Sequence, residues 1–157
     1  MARRDSENYN YTVTSLLKAA GTKRSTGKCE GKVETEHVVE LQLVVAAINT
    51  LKEGTYRRDD WERDLVRIFN DENNLQCLTK KKNGEKSQAV SKFIRIRNGS
   101  GESLSPKEKE WLKQVKKYWL AIRSELNCSD FKRIRNALDK LLEVQGGHKR
   151  FVGNIIK

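Results

Sequence analysis

Apolar residues recur along this chain at the three-to-four spacing of amphipathic helices, in short blocks separated by polar, glycine-bearing stretches. After a loose polar start, Val13, Leu16, Leu17, Ala19 and Ala20 form a stripe that Gly21 stops, predicting a two-turn helix. Thr22 to Gly31 reads as a loop, and Cys29, Val33 and Thr35 predict a short strand ending near Glu36. Leu41, Val44, Val45, Ile48 and Leu51 predict a helix closed by Gly54. Another starts near Asp59, where Glu62 completes a capping-box pattern, and would bury Trp61, Leu65, Ile68 and Phe69.

Asp71-Glu72-Asn73-Asn74 breaks that periodicity as a turn. Leu75 to Leu78 then predicts a second short strand, and residues 80–83 lead into a helix carrying Ala89, Val90, Phe93 and Ile94. Asn98-Gly99-Ser100-Gly101 opens a linker over 98–105. Beyond it, Ser105-Pro106-Lys107-Glu108 carries the helix-start signals of an N-cap Ser, an early Pro and a Glu three residues on. Trp111, Leu112, Val115, Trp119 and Ile122 line that helix. Asn127 to Ser129 breaks it, and Phe131, Ile134, Leu138, Leu141 and Leu142 line the next, up to Gly146-Gly147. These two helices, over 106–147, read as an antiparallel pair followed by a basic tail at 148–157. The expected class is α+β, mostly α-helical, with a small two-stranded element among amphipathic helices.

Charge changes the picture more than length does. The 157 residues carry a net charge of +11 with 34% charged side chains, an excess that points to a polyanionic partner. No apolar run reaches the roughly 20 residues of a membrane span, and no secretory h-region opens the chain. Three scattered cysteines without a C-x-x-C pair argue against a zinc knuckle. They favour an intracellular, reducing compartment such as cytoplasm or nucleus, with one disulfide plus a free thiol as the alternative. A trimmed leader would imply secretion instead.

Two segments carry candidate chemistry. The first is Thr35-Glu36-His37-Val38-Val39, an acid followed by a histidine at a strand end. The second runs from Asn74 through Asn83-Gly84-Glu85-Lys86. Hydrolysis of a phosphodiester needs a base near neutral pKa and a hard cation to offset phosphate charge. A carboxylate and a carboxamide oxygen suit Mg²⁺ or Mn²⁺. Taken singly, each residue has a plainer reading: Glu-His as a surface pair, Asn74 as a turn residue, Asn83-Gly84 as a turn signal.

Together the segments resemble the HNH (His-Me finger, ββα-metal) endonucleases. The second matches their N-L-x-x-L-C-x-x-C-[HN]-x-x-K pattern, with Asn74 and Asn83 at the family's separation, and the first matches their [DE]-H pair. The variant is H-N-N. The resemblance implies a β-hairpin followed by a helix, with one divalent cation, Mg²⁺ or Mn²⁺, between them. It makes His37 the general base, gives Glu36 and Asn83 the metal, and has Asn74 constrain the loop that carries His37. It implies a nuclease core over 1–97 with a helical insertion at about 38–70. Where many relatives carry zinc cysteines this chain has Thr79 and Lys82, so no structural zinc is expected. Lys80, Lys81, Lys82, Lys86, Lys92, Arg95 and Arg97 are the expected phosphate contacts, and DNA is favoured over RNA as substrate. The alternatives are a non-catalytic nucleic-acid-binding module and a toxin- or effector-type interaction protein. An inhibitor or immunity partner leaves no mark in the sequence.

Overall fold

The computed structural model describes residues 33–51, 65, 67–71, 74–126, 131–144 and 155–156. The expected helix over 13–20, the helix start at Asp59, the stop at Gly146, and the residues Cys29, Cys128 and His148 lie outside them. Among the described residues the element order is β1 (Val33–His37), α1 (Leu41–Ile48), β2 (Leu75–Thr79), α2 (Lys80–Arg97), α3 (Pro106–Ile122) and α4 (Lys132–Leu141), with a 3₁₀ turn Arg123–Leu126 after α3. The chain is mostly helical with one two-stranded sheet, as the periodicities predict.

β1 and β2 pair antiparallel, with Glu36 opposite Gln76 and His37 opposite Leu75. α2 follows β2 without a connecting loop, starting at Lys80 itself. Thr79 makes that sharp transition possible. Its hydroxyl accepts from the Lys82 backbone N–H at 3.2 Å and caps the helix. Residues 79 and 82 are the two positions where the resemblance would place zinc cysteines, and here a helix cap links them.

α1 lays Leu41, Val44, Val45 and Ile48 against α4, while α2 and α3 pack against each other through Ala89, Val90, Phe93, Leu112 and Val115. Each C-terminal helix packs on an earlier helix, and α3 and α4 are also joined to each other through Asp139. One hydrophobic core runs from Val39 to Ile156, with Leu104 of the 98–105 connection inside it. Trp119 lies at its centre, stacked on Phe69 at 6.2 Å between ring centroids, and its indole N–H donates to Asp139 at 2.8 Å. Asp139 also takes both guanidinium arms of Arg123, which fastens the end of α3 to α4.

The start of α3 carries the capping box read from the sequence: Ser105 and Glu108 bond each other's backbone N–H groups at 3.2 and 2.8 Å. Ser105→Ala is expected to cost about 1 kcal/mol in urea unfolding. A change below a few tenths would show that Pro106 and the helix packing set this end without the cap.

In the 98–105 connection Glu102 receives a bidentate pair from Arg95 at 2.9 and 3.1 Å, and its backbone N–H bonds Ser100. The Arg95 guanidinium, helped by Ser100, holds the Glu102 carboxyl at about 2, well below the ordinary carboxylate range. The sign follows: the contribution of this carboxylate is complete above its ordinary value of 4.5 and fades as pH falls through about 2. An NMR carboxyl titration should place its midpoint near 2; a midpoint near 4.5 would mean that the pair is absent in solution.

Candidate active site at the sheet–helix junction

β1 ends on Glu36 and His37, and both are buried, at 6% and 1% exposure. As successive strand residues they leave the backbone on opposite faces. Glu36 turns one carboxylate oxygen onto the His37 backbone N–H at 3.1 Å. The His37 ring goes the other way, where its Nε2 meets the side-chain oxygen of Asn70. Asn70 was not singled out by sequence reasoning, and only its closeness to the Asp71–Asn74 turn hints at it.

Asn74 closes the loop after His37. Fully buried, it accepts from the Val39 N–H at 2.8 Å and donates to the carbonyls of Val39 and Phe69 at 3.1 and 2.8 Å. Its backbone carbonyl also receives the Val38 N–H at 2.8 Å. The carboxamide thus ties residue 39 to Phe69, and the Asn74 backbone carbonyl adds residue 38. A carboxamide suits this place because it offers a donor and an acceptor without charge.

Asn83 lies in the first turn of α2, half-buried, three residues before Lys86 and so on the same face of that helix. That face continues inward through Lys86, Ala89, Val90 and Phe93. Lys86 differs from expectation. It has no exposed surface, so it is no phosphate contact; its ammonium donates to the His37 carbonyl and pairs with Glu40 at 3.2 Å. Glu40 starts α1 yet makes no cap with its side chain, which turns to Lys86 instead. Burial pushes the Glu40 carboxyl above its ordinary value, Lys86 and Gln42 oppose that, and the charge of nearby Glu36 adds to the rise. Glu40 escaped sequence reasoning because its partner lies far along the chain.

Three more of the expected phosphate contacts are engaged in ion pairs within the chain. Lys92 pairs with Glu108, Arg95 with Glu102, and Arg97 with Glu143 while lying over the Phe93 ring at 5.4 Å. Lys80, Lys81 and Lys82 are exposed and make no ion pair among the described residues. They crowd a helix N-terminus that has no acidic residue in its first turn. Positive charge there opposes the helix dipole, and an anion would relieve both.

Cys77 is disulfide-bonded and exposed on β2. A disulfide is the alternative that the cysteine pattern left open, and here a covalent tie holds the middle of β2. Among the described residues no group of three His, Cys, Asp or Glu side chains converges, and no helix is long and apolar enough to cross a membrane. The residues near the junction that could hold a hard cation are the Glu36 carboxylate and the Asn83 carboxamide on the α2 face, both oxygen donors; Glu40 is taken up by Lys86. Comparison with family models, with curated proteins and with solved structures finds no match to this chain.

Proposed function

We propose that this protein is a divalent-metal-dependent endonuclease of the HNH kind, acting on DNA in preference to RNA. The observation that carries the reading is the Asn74 clamp: a buried carboxamide with three bonds locks the loop leaving His37, beside an antiparallel pair that runs straight into a helix bearing Asn83.

In this reading His37 takes the proton from the attacking water, and the Asn74 clamp fixes where the imidazole stands. Glu36 and Asn83 hold the cation, Mg²⁺ or Mn²⁺, which when bound offsets charge on the scissile phosphate and leaving oxygen. Lys80, Lys81 and Lys82 seat neighbouring phosphates at the positive end of α2. The exposed disulfide at Cys77 favours work in an oxidising compartment, since such bonds are reduced in the cytosol.

The test is relaxation of supercoiled plasmid by the purified chain. Nicking is expected with Mg²⁺ or Mn²⁺ and not with EDTA; intact plasmid in every divalent ion would defeat the reading. Changing Lys80, Lys81 and Lys82 together to Ala should flatten the log–log salt slope of DNA binding by about 3, near one unit per lysine. An unchanged slope would remove them from the interface.

The burial of His37 and its contact with Asn70 favour a second reading, a nucleic-acid-binding module without catalysis, because a base must reach its water. That protein would bind DNA in a salt-dependent way and cut it under no metal condition.

A further inference from the structure

A lysine without exposed surface is unusual, because its ammonium gives up water and must be repaid by close partners. Lys86 has the Glu40 carboxylate at 3.2 Å and a main-chain group, the carbonyl of His37, at the last residue of β1. Around them runs a polar network that joins α2 to the start of α1. Gln42 donates to Glu40 and to the Ser87 carbonyl, and Ser91 donates to Gln42.

We infer that Lys86 is a positioning residue: its ammonium, paired with Glu40, fixes the His37 backbone at the end of β1 and so aims the imidazole. The inference rests on the endonuclease reading for its effect on rate, but not for its effect on the ring. Several ties hold the chain around His37. The Asn74 carbonyl takes the Val38 N–H, its carboxamide grips Val39, and Lys86 grips the carbonyl of His37 itself. Removing the Lys86 tie leaves the loop closed while loosening the carbonyl at the end of β1. A structural ion pair elsewhere in the core would stabilise the fold equally well, but it would not touch this carbonyl.

Glu40 serves Lys86 rather than solvent or helix capping, and the pair must be changed together, because either charge alone would be stranded in the interior. The test compares the parent, Lys86→Met with Glu40→Gln, and Lys86→Arg. The chain has only two histidines, so two Cε1–H imidazole signals are expected in its NMR spectrum, and loss of one in His37→Gln assigns it. The expected results for the double variant are a melting temperature near the parent's, a displaced His37 ring signal, an unchanged KM for DNA and a kcat lower by roughly 10- to 100-fold. Lys86→Arg, which restores a charged donor, should return most of kcat. A double variant with the parent's ring signal and kcat overturns the inference, and so does one that has lost its melting transition, since the pair would then be a folding device alone. If the parent itself cuts no DNA, the endonuclease reading fails, and the ring signal still decides whether Lys86 sets the pose of His37.

Discussion

Asn74→Ala is expected to lose about 3–5 kcal/mol of folding stability. Three hydrogen bonds disappear at about 1 kcal/mol each, and the Val39 N–H and the Val39 and Phe69 carbonyls are left without this partner in a place water does not reach. Against the 5–15 kcal/mol that domains typically possess, that is a large fraction. Asn74→Asp should fare no better. It keeps an acceptor for Val39 but turns an oxygen toward two carbonyls and buries a charge. Urea unfolding followed by tryptophan fluorescence reads both variants. A loss below about 1 kcal/mol for Asn74→Ala would mean that the loop is held without the clamp.

His37→Ala should lower metal-dependent cleavage by roughly 10²–10⁴-fold, the usual contribution of a positioned general base. DNA binding should persist, because the lysines at the start of α2 lie on a different element. The contact with Asn70 makes a companion prediction. Asn70→Ala removes the group that now occupies Nε2 and should change the pH profile of cleavage without abolishing it. Full activity in His37→Ala would take the histidine out of the mechanism, leaving only the basic surface as a functional feature.

Local patterning made the elements legible and left the long-range ties hidden. Leu75 to Leu78 shows as a strand, and the Ser105–Glu108 box shows as a helix start, because both signals lie within a few residues. The pairing of β1 with β2 follows from no local period; the motif resemblance suggested it, and the register bears out two neighbouring antiparallel strands. Asn74 was legible as a residue that constrains the His37 loop, although its partners Val39 and Phe69 were not. Lys86 was misread, since a run of Lys-Lys-Lys-Asn-Gly-Glu-Lys looks like a solvated face. Only a contact 49 positions away, on His37, shows that one lysine of that run is internal. Arg97 was misread for the same reason, its carboxylate partner Glu143 lying 46 positions on. Charge count detects a polyanion binder, but it cannot separate a cation that faces solvent from one consumed by a buried acid.

The most direct check on the proposed cation, held by Glu36 and Asn83 within reach of His37, is paramagnetic broadening. Substoichiometric Mn²⁺ should bleach the His37 ring signal in the parent, and Glu36→Gln or Asn83→Ala should abolish that bleaching while the rest of the spectrum stays folded. A His37 signal that remains sharp at Mn²⁺ concentrations supporting DNA cleavage would place the ion elsewhere and contradict the site described for this protein.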